Sequence, residues 1–329
     1  FKNMISSVTL GGMYEMRNPP SFMNLAKIEL RDAEYEVDAF LMNLLQYPSS
    51  APFISKKLIQ FHGISNPSPG YVERVAQAFV GGSFASGGVT FGDRKYGDLK
   101  AVAAAIALDP ESTSPAVDED PASGNIREPL LKVIHVMRSL SFERRPNVKF
   151  RYGLFENMSN KIGQMVFDPP DQFSFFSTDY APPGVFAESG MVSPESELLS
   201  MNAVVGMTNG LFSMANFGLA YADGGFAPSF NRLPPVGDYS TSMGTLTYPY
   251  QASDATSVGS KIDELSTMLT AGRLSPENKQ VLLDAHSFFN NKFGAVNADR
   301  VLLQLISATP EFHTSSTLRK TGSKRTITP

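Results

Sequence analysis

Residues 172–197 read QFSFFSTDYAPPGVFAESGMVSPESE. Phe173, Phe175, Phe176, Tyr180 and Phe186 gather there beside the proline pair Pro182–Pro183, with Gly184 and Gly190 as hinges. Neither the helical nor the strand apolar period runs through the segment, so it reads as an irregular connection dense in apolar side chains. Connections usually lie on the surface and are polar. One with this many rings has to bury them against its own domain or against a partner. The reading adopted is a structural clamp made by Phe173, Phe175, Phe176, Tyr180, Pro182, Pro183 and Gly184, with a partner-binding groove as its rival. The clamped element is the next segment, LLSMNAVVGMTNGLFSMANFGLAY at 198–221. It is apolar nearly all round and reads as a central buried helix, interrupted near Gly206 or Gly210, with Asn202 and Asn209 hydrogen-bonded inside.

Outward from this pair the chain alternates helical stripes with proline or glycine stops. Val37, Phe40, Leu41, Leu44 and Leu45 fall on one helical face, and Pro48 ends that helix. Ser50 is placed to cap a second helix with Ile54, Leu58 and Phe61 inward. Ser68-Pro69 opens a third, with Ser68 as N-cap and proline at the first position, where a missing N–H costs nothing. Residues 81–97 hold six glycines and read as a flexible loop. A helix from Asp98 to Leu108 follows, with Leu99, Val102, Ala103 and Ile106 inward. After an acidic loop at 110–125 comes a helix packing through Leu130, Ile134 and Met137, with Leu131 and Val133 as further candidates. Residues 222–258 form a long excursion in which TLTYPY is a candidate edge strand. Lys261–Leu274 and Ser275–Phe293 make a helical hairpin with Ser275 as cap. Asn297 caps a last helix with Val301, Leu302, Leu305 and Ile306 inward. The expectation is a mainly α fold: one irregular multi-helix domain over 1–313 with long ordered loops and at most a small β element. The basic polar tail, 314–329, is expected to be extended or disordered.

SFFSTDYAPPGVFAESGMVSPE resembles the signature of domain-of-unknown-function family 1800: a Phe-rich segment, a D/G-Y-x-P-P-G turn and a Gly-Leu-Val-x-Pro-Glu-like segment. APFISKKLIQ with SNPSPGYVERVAQAF, GDLKAVAAAIALDPE, REPLLKVIHVMRSL and LLQLISATPEF resemble the family in the same order. The resemblance spans roughly residues 34–313. It implies a helical fold and a history of export, not a mechanism. Complete members usually carry further helical sequence ahead of the matched part, including an Asn/Arg/Glu-rich helix not found here. With Phe1 at the start, this predicts an exported precursor that has lost its N-terminal portion, or a chain of which only part is present.

Charged residues are 18% of the 329, below the roughly 25% of typical soluble domains, which suits a surface that meets neighbours. A net charge of −4 gives no general attraction to nucleic acid. No apolar run reaches the length of a spanning helix. Zero cysteines exclude disulfides and thiolate chemistry, and suit an oxidising exterior. The four histidines, His62, His135, His286 and His313, form no HExxH and no i, i+4 pair, so no metal site is assigned. No nucleophile elbow, phosphate-binding loop or dinucleotide fingerprint occurs, and no cofactor is expected. The carboxylates Asp171, Asp179, Glu188 and Glu195 are the candidates for acid/base work on an extracellular polymer. Turn formation and capping account for carboxylates of this segment equally well. The favoured function is therefore non-catalytic: a secreted, extracellular or envelope-associated protein that binds other protein chains, copies of itself included.

Overall fold

The computed structural model describes residues 7–10, 14–17, 31–114, 120, 122–146, 153–172, 174–220, 223–226, 242–247 and 257–315. They fall into two compact units divided between residues 117 and 118. Helix dominates both. Among the described residues, β structure is confined to two two-stranded sheets and one three-stranded sheet.

Unit 1 opens with the antiparallel pair β1 (Ser7–Leu10) and β2 (Tyr14–Arg17), in register Ser7 to Arg17. Then come α1 (Arg31–Leu45), α2 (Ser50–His62), α3 (Pro69–Gly81), β3 (Phe84–Ser86), β4 (Val89–Phe91), α4 (Leu99–Leu108) and the short α5 (Pro110–Thr113). The start of α3 follows its local chemistry: Ser68 Oγ accepts from Tyr71 N at 3.1 Å, and Pro69 occupies the first turn. Its inner face, Tyr71, Val75, Ala76, Ala78 and Phe79, packs with Ile59 of α2 and with Val102, Ala105 and Ile106 of α4. Because α4 meets its neighbours through Ala101, Val102, Ala105 and Ile106, Leu99 and Ala103 are left outside. On α2 the buried row is Ala51, Ser55, Ile59 and Gln60, while Ile54, Leu58 and Phe61 are half-buried.

The glycine-rich stretch is ordered. Phe84–Ser86 and Val89–Phe91 pair antiparallel around the two-residue turn Gly87-Gly88, both at positive φ as a tight hairpin turn requires. Gly82 ends α3 at φ 60°, and a Cβ there would lie 2.1 Å from the Lys95 carbonyl oxygen, so two backbones meet at this point.

Unit 2 holds α6 (Pro129–Ser139), β5 (Phe142–Arg144), α7 (Gly153–Ile162), α8 (Val185–Glu188), a 3₁₀ turn (Pro194–Leu198), α9 (Met201–Phe217) and β6 (Leu219–Ala220). After these come β7 (Ser242–Leu246), α10 (Val258–Thr270), α11 (Pro276–Phe293), α12 (Ala295–Ile306) and α13 (Pro310–His313). The core joins Val133, Val136 and Leu140 of α6 to Leu154, Met158 and Ile162 of α7 and to Met207, Leu211 and Met214 of α9. Ile262, Leu265 and Leu269 of α10, Leu302 and Ile306 of α12, and Phe312 complete it.

Helix α9 departs from the sequence reading in three ways. It is continuous through Gly206 and Gly210. Those glycines mark close approaches instead: a Cβ would come within 2.2 Å of the Lys161 carbonyl at Gly206 and 2.4 Å of the Phe226 ring at Gly210. The helix is also one-sided, with Met201, Val204 and Val205 exposed. Asn202 and Asn209 lie on that outer side. The strand expected at TLTYPY begins earlier, at Ser242, and β7 is the middle strand of the order β5-β7-β6, not an edge; residues 248–250 lie outside the described residues. Ser275 caps α11 by accepting from Asn278 N at 3.2 Å, as its Ser-Pro-Glu start predicts. Helix α12 starts earlier than expected, at Ala295, so Asn297 lies within it and donates back to Phe293 O at 2.8 Å. No helix among the described residues is long and apolar enough to cross a membrane.

Candidate functional site

The aromatic segment divides into an anchored base and an exposed tip. Ser193 N donates to Tyr180 O at 2.8 Å, and Ser177 N donates to Glu197 Oε2 at 2.7 Å, which closes the loop on itself. Phe176 is buried, Phe175, Tyr180 and Pro182 are half-buried, and Pro183 and Gly184 are exposed. Gly184 has φ 103° and ψ −142°, a backbone state that disfavours side chains, although a Cβ there would meet no atom within 4 Å. Beyond it, Val185 and Phe186 stand out on α8. Phe173 lies outside the described residues. The four candidate carboxylates do not share an environment. Asp171, Asp179 and Glu188 are exposed, whereas Glu195 is 2% exposed and accepts from Asn125 Nδ2 at 3.2 Å.

Unit 1 carries a surface that the sequence pattern did not identify. The stripe of α1 has the expected spacing, but its side chains face outward: Val37 is 56% exposed, Phe40 42%, Leu41 55% and Leu44 43%. Only Leu45 of the stripe is packed against the unit's core. Tyr35 and Met42 add to the exposed apolar surface. Farther along the same unit, α2 and α3 enclose a groove of about 860 Å³. Pro48, Pro52, Pro67 and Pro69 line it, Val72 and Val80 add an apolar wall, and Lys56 and Glu73 bring opposite charges. The prolines were legible as helix starts and stops. Their second role, as rigid apolar walls with no N–H to satisfy, follows only once the two helix starts are brought together.

A polar network holds this wall in place. Arg74 of α3 grips Asp109, the N-cap of α5, through Nε to Oδ2 at 2.7 Å and Nη2 to Oδ1 at 2.8 Å. Asp109 is 1% exposed, and the bidentate fork drives the Arg74 guanidinium pKa upward. Glu111 accepts from Arg74 Nη2 at 3.1 Å and also from Ser68 Oγ. The Tyr71 hydroxyl donates to Ile106 O at 2.7 Å, and burial pushes its pKa up. Helix α3 is thus fixed to α4 and α5 by satisfied buried groups, leaving its outer face to the groove.

A family profile described as Protein of unknown function (DUF1800) matches residues 16–314. The chain belongs to this family. The match extends closer to the N-terminus than the motif resemblance and takes in the end of β2, α1 and the groove as well as the aromatic segment of unit 2. No curated protein and no solved structure matches the chain at a significant level.

Proposed function

We propose that this DUF1800 member is a non-catalytic, secreted or envelope-associated protein that binds other polypeptide chains, copies of itself included, through the apolar surface of unit 1. One observation carries the reading: a helix with a well-formed apolar stripe keeps that stripe in solvent. Contiguous exposed apolar surface marks interaction sites in stable proteins. Each Val, Leu or Phe that passes from exposed to fully buried contributes about 1.5–3 kcal/mol, so a few suffice to drive association. Three of the four candidate catalytic carboxylates lie in solvent. This favours binding over hydrolysis of a polymer.

The test places a photo-crosslinking residue at Leu41 or Val80, with Arg138 of unit 2 as the control position, in the cell that makes the protein. All three positions are exposed. The expected result is covalent adducts with a polypeptide from positions 41 and 80 that disappear when Phe40 and Leu44 are replaced by Glu. Adducts no more frequent than from position 138 would overturn the proposal.

A further inference from the structure

The end of α11 and the start of α12 make a projecting tip in unit 2. The helices turn back on each other at Gly294, φ 82°, and pack side by side beyond it, where His286 of α11 lies 3.1 Å from Asp299 of α12. Across the turn, residues 287–297 read SFFNNKFGAVN, and every residue from 290 to 297 is exposed. Apolar side chains crowd onto this tip. Phe288 is 58% exposed, Phe293 51% and Val296 68%. Half-buried Phe289 joins the two outer rings, its centroid 5.4 Å from that of Phe288 and 5.6 Å from that of Phe293. Lys292 belongs to the same cluster, with its ammonium 5.6 Å from the centre of the Phe288 ring and 5.2 Å from that of Phe293.

The charge of the tip is one-sided. From residue 285 to residue 298 the chain carries no Asp or Glu. Arg300, one turn beyond Val296 on α12, adds a second exposed cation. The flanking carboxylates are Asp284, which accepts from Gln280 Nε2 at 2.9 Å, and Asp299, which is buried and held by Lys261 and His286. Lys292 and Arg300 make no ion pair among the described residues.

We propose that this tip docks on an anionic lipid surface. Phe288, Phe293 and Val296 enter the boundary between headgroups and acyl chains, and Lys292 and Arg300 meet the phosphates. Exposed apolar patches mark contact sites. Two observations favour lipid over polypeptide here. The apolar groups stand on a projecting turn, so a surface that yields around them covers them together. Both cations beside them carry the sign that complements phospholipid headgroups. A lysine set between two rings lays its stem along them while its ammonium reaches the phosphates. Only about one helical turn is immersed, so the attachment is peripheral and reversible. Because the whole chain carries a net charge of −4, the attraction is local to the tip and acts within a Debye length, about 8 Å at physiological salt.

The experiment sediments the whole protein with vesicles of phosphatidylcholine alone and of phosphatidylcholine mixed with phosphatidylglycerol. The expected result is binding at least roughly tenfold tighter on the mixed vesicles, weakening as salt is added. Phe288→Ser combined with Phe293→Ser should weaken it by roughly 10–100-fold, since each ring is about half-exposed to begin with. Lys292→Gln should cost roughly fivefold on the mixed vesicles only. These side chains are exposed, so the variants should melt like the parent. The chain has no tryptophan, and Phe288→Trp therefore supplies a single emission that should shift to the blue on mixed vesicles. A parent left in the supernatant, equal binding to both vesicle types, binding that survives the loss of both rings, or an unshifted emission from bound protein would each overturn the proposal. So would a photo-crosslinking residue at position 288 that captures a polypeptide in the cell while vesicles capture nothing, the tip then being a protein contact. The tip lies in unit 2 and the polypeptide-binding surface in unit 1, and Phe40→Glu with Leu44→Glu leaves the rings in place, so either reading can fail alone.

Discussion

Replacing Asp299 by Ala should cost unit 2 about 3–5 kcal/mol, the range for removing one partner of a buried ion pair. Asp299 sits on α12, 8% exposed, and accepts from Lys261 Nζ of α10 at 3.1 Å and 2.9 Å through its two oxygens. The Nε2 of His286 on α11 lies 3.1 Å from Oδ1. The Lys261 and His286 side chains are 13% and 7% exposed, so this carboxylate joins three helices where water compensates little. Truncation removes the counter-charge from a largely buried ammonium and opens a gap beside Ala298 and Leu302, both fully buried. Against a typical total stability of about 5–15 kcal/mol, that is a large fraction. Urea unfolding at pH 7 of the parent, Asp299→Ala, Lys261→Met and the double variant reads the loss and the coupling. The double variant should recover part of the loss, because no buried ammonium then remains to be compensated. A loss below about 1 kcal/mol, the scale of an exposed pair, would refute the reasoning, and so would strictly additive single losses.

Four further outcomes are expected. Phe176→Ala should lower stability by about 3–5 kcal/mol as a buried ring is lost, and Gly184→Val should lower it through backbone strain alone; variants that melt like the parent yet lose a partner would make the segment a recognition surface instead. Gly82→Ala should destabilise well beyond the roughly 1–2 kcal/mol of a left-handed residue, because its Cβ meets the Lys95 backbone at 2.1 Å, whereas Gly87→Ala, with nothing within 4 Å, should stay within that range; chemical denaturation separates the two. The folded chain holds the His313 pKa at about 4 while the unfolded imidazole titrates near 6.5. The unfolded state therefore binds the extra proton between those values, and the contribution of His313, complete above about pH 6.5, is lost as pH falls toward 4; His313→Gln should flatten that limb of a stability–pH profile. The sequence expectation of one cooperative domain over 1–313 predicts a single calorimetric transition, and two separate transitions would refute it.

What the sequence made legible is what local chemistry controls. Ser68-Pro69 and Ser275-Pro276 start helices because a side-chain oxygen takes the orphan N–H and proline needs none, conditions met within a few residues. The hairpin of β3 and β4 had an equally local signal, two glycines between Phe-Ala-Ser and Val-Thr-Phe, which the glycine count of the whole stretch obscured. The stripe of α1 shows a different limit. Its period specifies a helix with an apolar side, and nothing in the period says whether this chain or another covers that side. The groove was hidden for a related reason, since it needs the spatial meeting of two helix starts.

Helix α6 carries the sharpest lesson, because two rows competed on it. The row Leu130, Ile134, Met137 is wholly apolar and was the natural choice for the core. The row that is buried is Pro129, Lys132, Val133 and Val136, rotated by about one residue, with a charge inside it, while Leu130 and Met137 pack half-buried against the same core. Leu131 and Ile134 are left 51% and 37% exposed. Sequence reasoning sends lysine outward because its desolvation is costly. That cost shows here in a Lys132 pKa pushed down to about 8, by burial first and then by Arg127. An apolar residue of similar length at position 132 should therefore stabilise the protein at pH 7, since removing a desolvated charge relieves a penalty. A Lys132→Met protein that melts below its parent would mean that the ammonium is already compensated, by Glu195 above all, and would refute the reasoning.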